Sequence, residues 1–468
     1  MKSVILQCEI ILKSVKTMLY RKIEAYIEKY LKSESDKILI IEGARQVGKS
    51  FIIREVGSRL FKNFVEINFA EDYAGMQLFK NISTTESFYL TLSSIAGDKL
   101  DKVENTLVFI DEIQQYPMFL TMLKFLRQEH RYTYIASGSL LGLALRSTTS
   151  IPIGSIVRKQ MYQLDFEEFL IANGFGNDAL SAIKDKYLHQ ESLDENLHSY
   201  IMKLFHRYLL VGGMPDAINE YLATHNIVRI RDVQNSIYSL YGDDAAKYAE
   251  SSGKHLLIKR IYDMVPSQME NKKKRIIAKE INNKKGDRLN NYNDEFEYLI
   301  GSGIAIDVHA ISNPHYPLAE SARKNLIKLY LSDVGLLTSQ LYHNNIQAIL
   351  NDECSINLGS VYESVVAQEL KAHSHNLFYY DNRQRGEVDF IIDDYYNMCV
   401  LPVEVKSGKG YTIHSALNKL LEVPDYHIKY GLVLYNKREI KHKDKIVYMP
   451  IYYSMFIGTS VEDDNIIF

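Results

Sequence analysis

The chain has 468 residues, more than a single hydrophobic core holds, and at roughly 150 residues per domain we expect about three domains. Its net charge of −3 excludes a global field that attracts nucleic acid or a membrane surface, so any such contact must be local. Three widely spaced cysteines exclude a disulfide framework and a paired-cysteine zinc site. A membrane span needs about 18 apolar residues, and no apolar run of the chain is that long. We therefore expect a cytoplasmic protein.

Residues 1–34 are predicted to form an N-terminal helical segment. From Met18 to Leu31 apolar residues recur at helical spacing and define one apolar face. Residues 1–17 lack the small-residue cleavage site of a signal peptide. Either Met1 or Met18 fits the pattern as the first residue of the protein.

Residues 35–170 show the alternation of an α/β domain. Four short β-rich runs are separated by segments long enough for helices, and the runs are KILIIEG, NFVEINFA, TLVFIDE and YTYIASGS. Buried strands that alternate with helices predict a doubly wound fold with a mainly parallel sheet.

The segment GARQVGKS directly follows the first of these strands and precedes an apolar helix. Glycines let backbone N–H groups wrap phosphates, the charge of Lys49 reaches the β- and γ-phosphates, and the Ser50 hydroxyl ligates Mg²⁺. A fortuitous turn is the alternative, and the strand–loop–helix context argues against it. We predict an ATP site that comprises Gly43, Ala44, Arg45, Gln46, Val47, Gly48, Lys49, Ser50 and Phe51.

Two acidic residues end the run LVFIDE. Four apolar residues place Asp111 at the carboxyl end of a buried strand, where it can bind the water shell of Mg²⁺. Glu112 is then placed to polarise the attacking water as general base. The alternative is an ordinary strand end that starts a helix, and the position after a P-loop favours catalysis.

The groups that contact the γ-phosphate are predicted from weaker signals. Ser137 and Ser139 follow the next strand, where a small hydroxyl serves either as a γ-phosphate sensor or as a helix cap. Catalysis also calls for a cation at the γ-phosphate, and Arg146 and Arg158 are the candidates, in cis or from a neighbouring subunit. A solvated surface arginine is the alternative for both.

The chain changes character after residue 170. Residues 171–255 are mostly helical in pattern and are predicted to form a helical lid, with a turn at VGGMP. Residues 256–345 combine a basic stretch with a helix-then-strand order that is typical of a winged helix. The basic residues of the stretch 266–288, against three acids, are Lys272, Lys273, Lys274, Arg275, Lys279, Lys284, Lys285 and Arg288. They predict binding to a phosphate backbone without sequence specificity, and a solvated loop is the alternative.

Residues 346–468 hold one helix followed by several strands. In VLPVEVK, strand alternation puts Glu404 and Lys406 on one face, and in GEVDFII it puts Asp389 on one face with Glu387. Metal-dependent phosphodiester hydrolysis needs such a set: Asp389 and Glu404 would hold Mg²⁺, and Lys406 would orient the attacking water or stabilise charge. Spacing alone favours the alternative, a charged solvent face with a salt bridge, because Glu-x-Lys occurs four times in the chain.

With these motifs in order, the chain resembles a family of bacterial and archaeal AAA-type (AAA+) P-loop ATPases whose C-terminal region is a nuclease-like domain of unknown function. The matching segments are GARQVGKS, LVFIDEIQQYPMFLTMLKFLR, SGS, YQLDFEEFL, YLLVGGMPDAI, LYLSDVGLL, YESVVAQEL and GEVDFII…LPVEVKSG. The resemblance implies an AAA-type core, a helical lid, a winged-helix segment and a C-terminal α/β restriction-endonuclease-like fold, similar to PD-(D/E)XK nucleases. It also implies that Glu363, on the helix before the strands, is a further acid of the nuclease-like site.

Two departures from the family concern the γ-phosphate. Many members have a Gly-Arg step before their PLSF-like motif, whereas here Gly154 is followed by Ser155. Members usually have two hydroxyl residues after the sensor glycine, whereas here Ser139 is followed by Leu140. Both differences affect the predicted sensing of the γ-phosphate and leave the prediction of nucleotide binding intact.

We therefore predict an enzyme, a Mg²⁺-dependent AAA-type ATPase that binds and hydrolyses ATP. It would bind or act on DNA or RNA through its winged-helix and nuclease-like domains, as a homo-oligomer or with another protein partner, and without membrane contact. The alternative is a nucleotide-controlled protein-interaction switch whose nuclease-like domain does not cleave. Nuclease activity is left open by the sequence.

Overall fold

The computed structural model describes most of the chain. The described residues are 18–33, 35–68, 77–79, 82, 84–100, 105–115, 117–139, 154–248, 254–271, 274–282, 286–321, 323–350, 358–408 and 412–458. Arg146 lies outside them, as do Lys272, Lys273, Lys284 and Lys285 of the basic stretch. Every other residue predicted above for the two sites is described.

Five parallel strands form the sheet of the N-terminal region, in the order β2-β3-β4-β1-β5. They are β1 (Ile38–Glu42), β2 (Asn63–Asn68), β3 (Thr106–Asp111), β4 (Thr133–Gly138) and β5 (Ile156–Gln160). All of their pairings are parallel, so the carboxyl ends of the strands lie along one edge of the sheet. This arrangement confirms the predicted α/β fold with a parallel sheet.

Helices cover both faces of this sheet because its central strands are buried on both sides. The helices are α1 (Lys22–Lys32), α2 (Lys49–Leu60), α3 (Thr85–Ala96) and α4 (Pro117–Gln128). Every residue of β1 and β3 is buried, and strand alternation divides them between two cores. Leu39 and Ile41 pack with α1 and α2, whereas Ile38 and Ile40 pack with α3 and α4. The loop that follows β1 therefore begins in the interior of the sheet.

A series of helices follows β5. They are α5 (Phe166–Ala172), α6 (Asn177–Leu188), α7 (Glu195–Val211), α8 (Pro215–Thr224), α9 (Ile227–Tyr248), α10 (Lys254–Met269), α11 (Ala278–Asn282) and α12 (Asn293–Gly301). The turn between α7 and α8 requires glycine, because an added Cβ at Gly213 would lie 2.0 Å from the carbonyl oxygen of Leu164. None of the described helices combines the length and the hydrophobicity that crossing a bilayer demands.

An eight-stranded mixed sheet contains the remaining strands, in the order β12-β13-β11-β10-β9-β8-β6-β7. They are β6 (Ala305–Ile311), β7 (Arg323–Leu331), β8 (Phe378–Asn382), β9 (Gly386–Asp394), β10 (Cys399–Lys406), β11 (Gly431–Tyr435), β12 (Lys441–Lys443) and β13 (Ile446–Pro450). The helices that accompany this sheet are α13 (Val334–Tyr342), α14 (Gln347–Leu350), α15 (Gly359–Ala372) and α16 (Ser415–Leu421).

This sheet crosses the predicted boundary between residues 345 and 346. Strands β6 and β7 form an antiparallel hairpin, and β6 also pairs in parallel with β8. Val308, Ala310 and Ile311 are fully buried, so β6 is an interior strand and cannot stand in an isolated hairpin. The strands expected to belong to a separate winged helix are therefore part of the C-terminal sheet, and the winged helix and the four boundaries stay predictions.

Candidate nucleotide-binding site and carboxylate cluster

Residues 43–48 form a tight loop between β1 and α2. Gln46 and Gly48 have left-handed backbone conformations, with φ of 62° and 95°. Gly48 is the N-cap of α2 and supplies no capping side chain to the first amides of the helix. At Gly43 an added Cβ would lie 2.2 Å from the carbonyl oxygen of Met161, which excludes any side chain there. Such a loop before a helix N-terminus is a geometry that binds phosphate.

Lys49 lies inside this loop. Its side chain is buried, and Nζ donates to the carbonyl oxygens of Gly43 at 3.0 Å and Ala44 at 2.8 Å. Burial lowers the pKa of Lys49, and the nearby carboxylates of Glu112 and Asp111 act in the opposite direction. A buried ammonium that donates to two neutral carbonyls is placed to exchange them for charged phosphate oxygens.

Three adjacent strands bring polar groups together beside the loop. Asp111, at the end of β3, is 2% exposed and accepts a hydrogen bond from Ser50 Oγ at 2.7 Å. Ser137 on β4 donates to the other carboxylate oxygen, Oδ1. Asn68 Nδ2 on β2 donates at 3.4 Å to Oδ2, the oxygen that Ser50 contacts. Sequence reasoning missed Asn68, although its run NFVEIN ends at the same sheet edge as Asp111. Since hydroxyl and carboxylate oxygens are hard ligands, Ser50 and Asp111 fit a shared Mg²⁺.

Glu112 lies one residue beyond this strand, with a left-handed φ of 49°. Its Oε2 accepts hydrogen bonds from Gln114 Nε2 and from Ser139 Oγ, the latter at 3.5 Å. Gln114 Nε2 also donates to Ser139 Oγ at 3.1 Å. The structure thus unites the predicted base with one predicted sensor serine, and it adds Gln114, which no sequence signal singled out.

The predicted γ-phosphate cations are not gathered at the loop among the described residues. Arg158 lies on the edge strand β5, where its Nη2 donates to Glu42 Oε2 at 2.6 Å and Nε donates to Oε1. The hydrogen bond to Glu42 raises the pKa of Arg158. Arg45, predicted as part of the loop, turns outward and pairs with Asp244 of α9 at 2.8 Å.

The predicted residues of the second site come together on three elements: Glu363 lies on α15, Asp389 on β9, and Glu404 with Lys406 on β10. Strands β9 and β10 are antiparallel, and the amide of Val405 donates to Asp389 Oδ2 at 2.9 Å. Lys406 Nζ donates to Glu404 Oε1 at 2.7 Å. We call Glu363, Asp389, Glu404 and Lys406 the carboxylate cluster.

Burial decides how the acids of the carboxylate cluster behave. Glu404 is 6% and Glu363 is 7% exposed, which excludes a charged solvent face for these two residues. Burial, with the charges of Glu363 and Glu404, raises the pKa of Asp389 well above its usual range. Burial also raises the pKa of Glu404, although Lys406 acts in the opposite direction. The three acids are therefore close enough to perturb one another.

Two lysines that sequence reasoning did not assign to this site contact Glu363 and the adjacent Glu387. Lys274 forms an ion pair with Glu363 Oε1, and the Tyr330 hydroxyl donates to Glu363 Oε2 at 3.3 Å. Lys328, which is 1% exposed, pairs with Glu387 at 2.8 Å. Burial alone would raise the pKa of Glu363, but Lys274 and Lys328 outweigh burial and lower it. The chain's own lysines thus neutralise much of the acidic charge.

Part of the basic stretch 266–288 is engaged by these contacts. Besides Lys274, Arg275 pairs with Asp381 at 2.9 Å and with Glu387, and its guanidinium lies 5.4 Å from the ring centre of Tyr379. The side chains of Lys274 and Arg275 are only 13% and 14% exposed. Neither of them forms the solvated or phosphate-facing surface that the sequence predicts, because Lys274 faces a carboxylate of α15 and Arg275 faces two carboxylates of the C-terminal sheet.

The carboxylate cluster fits a metal ion only in part. No group of three or more His, Cys, Asp or Glu side chains suited to a metal ion occurs within the described ranges. Glu404 Oε2, however, is buried and has no hydrogen-bond partner among the residues that the structure describes. A bound cation would satisfy this oxygen, so Asp389 and Glu404 could hold a divalent ion if water or substrate completes its shell.

Comparison with known proteins supports the class of the N-terminal domain. Residues 35–170 match a family model described as an AAA domain. Residues 202–347 and 358–453 match two further models, each described as a domain of unknown function. No curated protein sequence matches the chain.

Solved structures of low identity show only weak similarity to the chain. A Walker-type ATPase of Pyrococcus abyssi has 14% identity and a TM-score of 0.43, over 72% of this chain and 97% of that one. The Hsp104–ADP complex of S. cerevisiae has 11% identity and a TM-score of 0.29, over 77% of this chain and 43% of that one. PCH-2 of C. elegans has 11% identity and a TM-score of 0.27, over 50% of this chain and 65% of that one. Likeness of this degree says nothing about what this chain binds.

The family match and the loop geometry together define an AAA-type P-loop ATPase domain at residues 35–170. The match supports the predicted AAA-type class for these residues, and hydrolysis of ATP by the chain stays a proposal. The C-terminal region, which matches models without an assigned function, keeps its nuclease-like character as a prediction.

Proposed function

We propose that the chain binds ATP with Mg²⁺ at residues 43–51 and hydrolyses it. The observation that carries this proposal is the 2.7 Å contact between Ser50 Oγ and Asp111 Oδ2, beside the buried Lys49. Except for the γ-phosphate cation, the set contains the groups that phosphoryl transfer requires: amides and an ammonium for the phosphates, hard oxygens for a metal ion, and an adjacent carboxylate.

Each residue of this set has a role that its position allows. Lys49 would leave the carbonyls of Gly43 and Ala44 and bind phosphate oxygens. Ser50 and Asp111 would hold Mg²⁺, which when bound neutralises charge on the β- and γ-phosphates. Ser137 would keep the Asp111 carboxylate oriented, because it donates to the oxygen that Ser50 does not contact.

Glu112 is the proposed general base. Gln114 and Ser139 both hold its Oε2, so we assign Oε1 as the atom that accepts the proton of the attacking water. Since Arg158 is held by Glu42, we propose that the γ-phosphate cation is Arg146 or an arginine of a neighbouring copy. This second possibility requires a homo-oligomer.

Equilibrium binding tests the nucleotide proposal. Titration of Mg²⁺ and ADP into the full chain should show saturable binding that Lys49→Ala weakens strongly. Lys32→Ala is the matched control, because Lys32 is an exposed lysine at the end of α1. Absence of ADP binding by the wild-type chain would contradict the proposal.

A second function, a nucleotide-controlled interaction switch, is favoured by the ion pairs of the carboxylate cluster. Lys274 forms an ion pair with Glu363 Oε1, so in this arrangement a lysine and not a metal ion or its water shell contacts that oxygen. With Lys328 also inside the site, the acids are balanced without a metal. We propose that in this arrangement the carboxylate cluster forms packing contacts of a nucleotide-controlled switch, and that it does not cut DNA or RNA.

Helix α15 gives this switch a physical route. Glu363 on α15 belongs to the carboxylate cluster, while Glu369 Oε1 on the same helix accepts from the amide of Phe166 at 2.9 Å. Gln368 Nε2 donates to the Tyr208 hydroxyl at 2.8 Å. Phe166 begins α5, which follows the ATPase strand β5, so one buried helix contacts both regions.

A cleavage assay separates the switch from a nuclease. Single- and double-stranded DNA and RNA would be incubated with Mg²⁺ or Mn²⁺, with and without ATP. We expect no cutting by the wild-type chain. If the wild-type chain cuts and Lys406→Ala does not, the cluster is a nuclease site and the switch proposal is wrong in its non-cleaving part.

A further inference from the structure

We propose that Arg21 and Tyr241 are positioning residues of the P-loop. They hold two carbonyl groups of the loop outward, and this aims the amides that follow them toward the phosphates. The inference rests on the proposed nucleotide binding at this loop and adds to it the groups that keep the loop in a binding-competent shape.

Arg21 precedes α1 and is buried against the loop, with 6% of its surface exposed. Its Nη1 donates to the carbonyl oxygen of Val47 at 2.7 Å, and Nη2 donates to that of Tyr162 at 2.6 Å. Its Nε contacts both carboxylate oxygens of Glu168 at 3.3 Å. One guanidinium thereby joins the P-loop, the segment after β5 and the start of α5.

Tyr241 makes the corresponding contact from the helical region. Its hydroxyl donates to the carbonyl oxygen of Arg45 at 2.7 Å. The neighbouring residue on the same helix face, Asp244, pairs with the Arg45 side chain at 2.8 Å. Helix α9 therefore contacts both the backbone and the side chain of Arg45.

Peptide geometry converts these carbonyl contacts into amide directions. A trans peptide is planar, so the C=O of one residue and the N–H of the next point in opposite directions. The hydrogen bond from Arg21 to the Val47 carbonyl directs the Gly48 amide away from Arg21. Likewise, the hydrogen bond from Tyr241 to the Arg45 carbonyl directs the Gln46 amide away from Tyr241. Gln46 and Gly48 are the two left-handed residues of the loop, where alternating handedness makes amides converge on an anion.

A purely structural role for Arg21 makes a different prediction. Arg59 of α2 also fastens α1, through ion pairs with Glu24 at 2.8 Å and Glu28 at 2.9 Å. It makes this attachment from α2, where its guanidinium donates to those two glutamates. If Arg21 only anchored α1, loss of Arg59 would have a comparable effect on nucleotide binding.

The test compares Arg21→Met, Arg21→Lys, Tyr241→Phe and Arg59→Met in the full chain. We would measure the Kd of ADP with Mg²⁺ by titration calorimetry, KM and kcat for ATP, and the midpoint of thermal unfolding. Arg21→Met should raise the ADP Kd and the ATP KM about tenfold with a smaller change in kcat, because hydrogen bonds to a charged ligand are weakened. Arg21→Lys should recover part of the loss, Tyr241→Phe should raise Kd by a smaller factor, and Arg59→Met should leave Kd unchanged.

The possible results are distinguishable. Wild-type Kd in a folded Arg21→Met variant would overturn the proposal, as would an equal rise of Kd in Arg59→Met. If Arg21→Met does not fold, Tyr241→Phe decides: an unchanged Kd overturns the proposal and a raised Kd supports it. Failure of the wild-type chain to bind ADP would instead overturn the proposed nucleotide function itself.

Discussion

Ser50 and Asp111 lie 61 residues apart in the sequence, and their side-chain oxygens are 2.7 Å apart. Ser50 belongs to the first turn of α2, and Asp111 ends the neighbouring buried strand β3. A divalent ion bound by one of these oxygens is therefore within reach of the other. We therefore propose that the metal-dependent part of nucleotide binding depends on this pair of atoms.

The substitution Asp111→Asn is expected to remove the metal-dependent part of ADP affinity. A neutral amide binds Mg²⁺ poorly, so the Kd of ADP with Mg²⁺ should rise about tenfold or more. The Kd measured with EDTA should stay unchanged. Titration calorimetry in both buffers checks this, with Asp36→Asn as control, since Asp36 is 89% exposed and precedes β1. An equal loss of affinity with and without Mg²⁺ would contradict the assignment.

Glu112→Gln should separate binding from hydrolysis. Glutamine keeps the shape of the side chain and loses the ability to accept a proton, so turnover should fall by about 10²- to 10⁴-fold. The Kd of ADP should remain that of the wild type, because Glu112 is bonded to Gln114 and Ser139 beyond the phosphate loop. Steady-state phosphate release measures the effect, with exposed Glu129→Gln as control. Wild-type turnover in Glu112→Gln would exclude it as the base.

Lys274→Met should destabilise the protein, because it leaves Glu363 buried without its ion-pair partner. Breaking such a pair costs about 3 kcal/mol in free energy of unfolding. Lys274 and Lys328 lower the pKa of Glu363 after burial has raised it, so the stability gained from the pair is present above the unfolded pKa and is lost as pH falls through the folded pKa. The destabilisation should accordingly be largest near neutral pH and shrink in acid.

Urea unfolding of Lys274→Met at several pH values measures this effect. Lys186→Met, which removes an exposed ion pair with Glu191, is the control and should leave the unfolding midpoint unchanged. A destabilisation of Lys274→Met that grows in acid would show that the ion pair does not govern Glu363.

Asp389→Asn should stabilise the fold, and more so as the pH rises. Burial with the charges of Glu363 and Glu404 raises the folded pKa of Asp389 well above the unfolded value. Such an acid favours the folded state below the unfolded pKa, and this contribution is lost as pH rises through the folded pKa. Asparagine imitates the protonated form, so the variant and the wild type should have equal stability in acid and diverge toward pH 8.

Thermal unfolding between acidic and mildly basic pH measures the divergence for Asp389→Asn. The exposed Asp185→Asn should follow the wild type at every pH. A variant that is less stable than the wild type at pH 8 would indicate that the folded protein stabilises the charged Asp389 carboxylate. That result would contradict a raised pKa of Asp389 in the carboxylate cluster.

Much of the N-terminal domain could be predicted from the sequence, because its signals are local. The runs that became β1 to β4 are apolar and lie between helices, and a P-loop is a contiguous motif. The proximity of Asp389 to Glu404 could also be predicted, because the two residues lie on neighbouring strands that are joined by a short turn. Such patterns report on residues that are close along the chain.

The contacts that sequence reasoning missed join distant residues. Lys274 and Glu363 are 89 residues apart, and no local pattern marks them as a pair. The parallel pairing of β6 with β8 likewise depends on tertiary packing, so the hairpin was placed in a separate unit. The contact of Arg21 with the P-loop could not be predicted for the same reason. Its partner Val47 is 26 residues away and accepts through a backbone carbonyl, which any residue type offers.

Phosphate release from ATP by the purified full chain tests the central claim most directly. The wild-type chain with Mg²⁺ should release phosphate, and Lys49→Ala should not, because the ammonium inside residues 43–48 is lost. The same measurement with EDTA should also give no release. Turnover that persists in Lys49→Ala, or a wild-type chain that binds ADP and never hydrolyses ATP, would contradict the assignment of this chain as an ATPase.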